Sequence, residues 1–161
     1  MSTSENLSHE LQNVLSGDPW YGSPVYTILK SISFETAYEK PPGSVHNIAE
    51  IVLHMIAWTE EVMDRMNGLP SGVPTSGDWP TTGKPEEQKW QNYVEDLKLV
   101  NVNLIGIIQN FPPDQWNEPT NDERNREQGT GVTYEELING LIQHHIYHSA
   151  QIALLKRIIT N

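Results

Sequence analysis

Apolar residues recur with a period near 3.6 in four stretches of the chain, and no stretch alternates apolar and polar residues between hairpin turns. That pattern predicts an all-α protein. The first stretch, roughly 5–37, is interrupted by Gly17-Asp18-Pro19-Trp20-Tyr21-Gly22-Ser23-Pro24. A helix cannot run through this segment, so two pieces are expected end to end around an irregular turn. Val25, Ile28, Leu29 and Ile32 give the second piece its apolar face. The second stretch, Ile48 to Met66, follows Pro41-Pro42-Gly43. Asn47 with Glu50 three residues later predicts a capping box at its start, and Gly68 sits where a helix commonly ends in left-handed backbone.

Residues 69–85 contain Pro70, Pro74, Pro80 and Pro85 with glycines between them, and so form a loop. A third helix is expected from Glu86 to Gln109, with Trp90, Tyr93, Val94, Leu97, Val100, Leu104, Ile107 and Ile108 on one stripe, and Pro112-Pro113 to stop it. A polar connection over 112–131 precedes Thr133, which forms a second capping box with Glu136. The fourth helix then carries Leu137, Leu141, His144, His148, Ile152, Leu155 and Ile159 as its expected buried stripe. No repeat or linker divides the chain, so residues 1–161 are expected to form one four-helix bundle with a broken first helix.

The fourth stripe is unusual because two of its positions are imidazoles. His144 and His148 are i and i+4, about 40° apart on a helix and one turn above each other, which makes a two-point claw for a transition metal. His54, in the middle of the second helix, can meet that claw across a helix interface. Buried without partners, two such rings would each cost roughly 1–3 kcal/mol, a cost that a shared ion removes. Three neutral imidazoles also leave a coordination position open, as catalytic sites do. His145 lies about 100° round from His144 and is expected to face solvent or a neighbouring side chain. His46 and His9 read as ordinary polar positions.

Composition narrows the chemistry. The chain has 21 acidic against 10 basic side chains, a net charge of −11, and no basic run, which argues against nucleic acid as a partner. It has no cysteine, so neither disulfides nor thiolate ligands are available, and any thiol chemistry must use a sulfur from outside. No segment approaches about 18 uninterrupted apolar residues and the first residues lack a leader pattern; a cytoplasmic protein without membrane partners is expected. The chain contains no Glu-x-x-His, so a di-iron bundle site is not expected. Imidazole donors suit Zn²⁺ and Ni²⁺ alike.

The run Val45-His46-Asn47-Ile48-Ala49-Glu50-Ile51-Val52-Leu53-His54-Met55-Ile56-Ala57-Trp58, paired with His144-His145-Ile146-Tyr147-His148-Ser149-Ala150-Gln151-Ile152, resembles the DinB/YfiT-like superfamily of metal-dependent enzymes. Pro19-Trp20-Tyr21-Gly22 and Asp78-Trp79-Pro80 are similar to features of one branch of it. The resemblance implies an up-down-down-up four-helix bundle, often dimeric, with a divalent ion on His54, His144 and His148. It further implies a small-molecule substrate and, in some members, transferase or isomerase activity with a low-molecular-weight thiol. Ser149-Ala150 departs from the more usual Ala/Arg-Gly before the glutamine, but leaves the ligands intact. Glu50 and Gln151 are candidates for supporting the ligands or facing substrate, and Trp20, Tyr21, Trp58 and Trp79 for walling the pocket. Ile146, Leu154 and Ile158, expected opposite the histidine face, suggest a homodimer. A hydrolase that activates water, or a non-catalytic metal-binding or interaction domain, would use the same ligands.

Overall fold

The computed structural model describes residues 1–127 and 131–161. Its helices are α1 (Thr3–Ser16), α2 (Val25–Lys30), α3 (Phe34–Tyr38), α4 (Ile48–Met66), α5 (Glu87–Gln109), α6 (Glu123–Glu127) and α7 (Tyr134–Thr160). Among the described residues there is no β-strand, only one bridge between Pro119 and Thr133. No helix among them is long and apolar enough to cross a membrane.

Four long helices make the bundle. α4 packs against α5 and α7, and α1 packs against the same two, so α5 and α7 lie between α1 and α4. Leu11, Ile48, Met55, Leu97, Leu104, Ile108, Ile138 and Ile152 are among the fully buried side chains where these faces meet. Each such burial contributes about 1.5–3 kcal/mol, enough to override the modest helix propensity of the β-branched residues.

The first stretch breaks twice rather than once. The chain breaks after α1, which Gly17 caps, but α2 also stops, at Ser31, and Ser33 caps a separate α3 by accepting from the Thr36 amide at 3.3 Å. Serine favours this behaviour because its hydroxyl competes for local backbone groups. At the start of α4, Asn47 Oδ1 accepts from the Glu50 amide at 2.8 Å. The other half of the expected box is missing because the Glu50 carboxylate turns to His46 instead. At its end, Gly68 adopts φ 86°, its amide bonding Arg65 O and that of Leu69 bonding Asp64 O, a Schellman ending that only glycine adopts without strain.

The loop after α4 is pinned at its root. Glu61 is buried, and its Oε1 accepts from Arg65 Nε at 2.9 Å and from the Gly72 amide at 2.8 Å. The next loop residues are thereby directed back over α4, which brings Asp78 and Trp79 to its middle. The later connection is likewise built rather than featureless where it is described: a 3₁₀ turn over Pro113–Gln115, the buried Trp116 bonded to Ser4 Oγ at 3.1 Å, and α6.

α7 buries a wider arc than one stripe. Ile138, Ile142, His145 and Ser149 are buried, whereas Leu155 and Ile159 are only half-buried, because α1, α2, α3 and α4 all touch this helix. The placement of Ile146, Leu154 and Ile158 is also corrected. Ile146 packs against the core, while Leu154 and Ile158 are exposed, and Leu154 shares a pocket with His144 and His148 rather than lying opposite them.

Candidate metal centre

The α4–α7 interface brings His54, His144 and His148 together. His54 Nε2 lies 3.1 Å from His144 Nε2, and the three rings have centroid separations of 4.4, 4.6 and 5.0 Å. One ring nitrogen from each lies within 4.8 Å of the other two, a group able to hold a metal ion. Donors at Zn–N bond lengths of about 2.0–2.1 Å stand roughly 3.4 Å apart in a tetrahedron, so only small side-chain movements separate this arrangement from a coordination shell.

Hydrogen bonds on the far side of two rings set their tautomers. His54 Nδ1 lies 2.6 Å from the main-chain oxygen of Asp78 and 3.3 Å from its carboxylate. Both are acceptors, so the proton sits on Nδ1 and the Nε2 lone pair faces the other histidines. His148 Nδ1 likewise donates to Gln151 Oε1 at 2.7 Å and frees its own Nε2. The buried His144 Nδ1 has no partner. Burial, followed by the nearby charges His148 and His54 would carry, pushes His144 down to about 4, and burial chiefly lowers His148 as well. Both rings are therefore neutral near pH 7, as metal ligation requires. This donor set fits a divalent ion.

Above the three rings opens a pocket of about 720 Å³. Trp79 forms part of its wall, sandwiched between His54 (centroids 3.8 Å apart, planes at 9°) and His46 (3.6 Å, 4°). Trp58 lines it too, its Nε1 donating to Asp78 Oδ1 at 2.7 Å. The loop thus holds His54 by a carbonyl, a carboxylate and a ring face at once.

Several expectations change here. Of the two expected surroundings of His145, the structure excludes solvent and shows a neighbouring side chain: the ring is fully buried, and its Nε2 donates at 2.9 Å to the side-chain oxygen of Asn101 on α5. Burial lowers it to about 3. Trp20 is fully exposed and Tyr21 about half exposed, and neither lines the pocket. His46 is no ordinary polar position, since it lines the pocket and donates from Nδ1 to Glu50 Oε2 at 2.9 Å. Glu50 accordingly contacts His46, with Lys40 at 3.9 Å, rather than any of the three clustered histidines. Asp78, His46 and Asn101 were the residues missed. The only signal for Asp78 was its place beside Trp79 in the loop, and Asn101 stood as one polar residue within the apolar stripe of its helix.

Gln151 provides a direct test of the tautomer argument. Gln151→Leu removes the acceptor that orients His148, and is expected to weaken Zn²⁺ binding about 10–100-fold while shifting the melting temperature little. Competition titration against a chromophoric chelator reads the affinity, and unchanged affinity would show that Gln151 does not orient this ring.

A helical bundle with three convergent imidazoles under an open pocket defines a class of possible metal-site proteins. The family model of the DinB superfamily matches residues 25–152, and the chain belongs to that superfamily. No curated protein and no solved structure matches it.

Proposed function

We propose that the protein is a divalent-metal-dependent enzyme that activates a low-molecular-weight thiol for transfer to an electrophilic small molecule. The observation that carries this is the convergence of His54, His144 and His148 at the floor of an open pocket rather than in a closed cage. When bound, a divalent ion, Zn²⁺ or Ni²⁺, would lower the pKa of a thiol and hold its anion at the pocket floor. His54 and His148 contribute lone pairs oriented in advance by Asp78 and Gln151. Trp58 and Trp79 restrict water around the reacting atoms.

Thiol activation is favoured over hydrolysis by the pocket wall. Asp78 is the one carboxylate among its described lining residues, and it is already committed to Trp58 and His54 as an acceptor. A water-activating site would be better served by an uncommitted carboxylate base. The discriminating experiment loads the untagged protein with Zn²⁺ or Ni²⁺ and screens electrophiles with and without added low-molecular-weight thiols. Turnover that requires thiol is expected, and equal turnover without thiol would favour the hydrolase.

A homodimer through the exposed apolar residues of α7, Leu154 and Ile158, belongs to the same proposal. Light scattering should give twice the chain mass at micromolar concentration. The monomer mass throughout that range would reject it.

A further inference from the structure

We propose that the pocket over the three histidines selects an uncharged, apolar small molecule and discriminates against ligands that carry carboxylate or phosphate groups. This deepens the proposed function by naming the substrate class of the same site, and rests on it for the chemistry at the floor.

The walls carry the inference. Val45, Ile51, Trp58, Tyr147, Leu154 and Leu155 make the apolar part of the lining, and among the described lining residues there is no lysine or arginine. Asp78 adds a negative charge to the wall, and the whole chain carries −11. An anionic group seated against these walls, away from the positive charge a bound ion would bring to the floor, would exchange water for apolar surface and a like charge, whereas an uncharged group would gain burial. The mouth continues the same character, because Val45 (74%) and Leu154 (59%) are exposed there in place of the polar residues a solvated rim would favour. About 720 Å³ is a usual size for a small-molecule site. Trp79 has both ring faces covered by His46 and His54, so it meets the ligand only along its edge.

Two arginines lie close by, and both are otherwise engaged. Arg65 and Arg124 line a separate hollow of about 240 Å³ that shares Trp58 and His144 with the main pocket. Arg65 is paired with Glu61 at 2.9 Å and Arg124 with Asp122 at 2.6 Å. Neither lines the pocket above the histidines.

Two pairs of probes test this on the full chain by isothermal titration. Metal-free protein is titrated with naphthalene methanol and with naphthoate, and Zn²⁺-loaded protein with benzyl mercaptan and with its para-carboxylate. The uncharged member of each pair should bind at least tenfold more tightly. Val45→Lys, at an exposed pocket position outside the proposed dimer face, should reduce that preference to threefold or less by strengthening the carboxylates. Equal or tighter binding of either carboxylate by the unaltered protein would overturn the inference, as would failure of both naphthalene probes to bind. If naphthalene methanol keeps its preference but benzyl mercaptan gains nothing from loaded metal, the pocket's selectivity stands and the thiol proposal falls.

Discussion

Alanine at His54, His144 or His148 is expected to weaken Zn²⁺ binding by more than about 100-fold, because each change leaves a two-point claw completed by weakly held water. Stoichiometry after dialysis, read by elemental analysis of untagged protein, should fall from one ion per chain towards zero in all three variants. His9→Ala should leave it unchanged. His145→Ala separates ligation from packing. Its ring is fully buried against Asn101 and does not belong to the cluster, so its loss leaves a cavity and an unpaired amide oxygen. That change should cost about 2–4 kcal/mol, or roughly 4–16 °C in melting temperature at this chain length, with metal retained. If His145→Ala loses metal while His144→Ala keeps it, the assignment of ligands along α7 is wrong.

Much of the architecture was legible in the pattern of apolar residues. Four periodic stretches correspond to α1 with its continuation, α4, α5 and α7, and the caps at Thr133 and Gly68 form as the local chemistry dictates. A helix cap or an i, i+4 pair depends on neighbours in sequence, so sequence contains it. What sequence could not supply were contacts that depend on how the elements meet. His145 and His144 are adjacent, and only the way α7 is turned towards the interior, where Asn101 of α5 lies, decides which of them enters the core. Asn101 is the physical reason: its side-chain oxygen gives a buried imidazole a partner that a purely apolar neighbour would deny. The Trp79 sandwich was hidden for the same reason, since it joins two positions on either side of the start of α4 to a loop more than twenty residues away. Trp20 shows the converse, an aromatic residue in an irregular turn that the fold leaves in solvent.

Acidification and chelation should act on the fold through the same rings. His144 is ordinarily near 6.5 but is lowered to about 4 in the folded protein, with burial the main cause, and His148 is lowered in the same sense. Between those values the unfolded chain binds a proton that the folded chain refuses, so stability is fully present above about pH 6.5 and is lost as pH falls towards 4. His145, lowered to about 3, extends the loss further into acid. A bound ion adds to this, because protons compete for the lone pairs that hold it. At pH 7.5, excess chelator should remove only the binding contribution, about 2.7 kcal/mol if free metal had been at a hundred times its dissociation constant. That corresponds to roughly 5–11 °C in melting temperature, with the bundle still folded around its apolar core. At pH 5 both samples should melt lower than at pH 7.5, and the gap between them should shrink because the ion is already leaving. Differential scanning calorimetry of Zn²⁺-loaded and chelated protein at the two pH values reads all four temperatures. Four identical temperatures would mean that these histidines neither bind metal nor titrate with the fold, whereas a chelator gap that widened at pH 5 would place the ion on ligands other than imidazole.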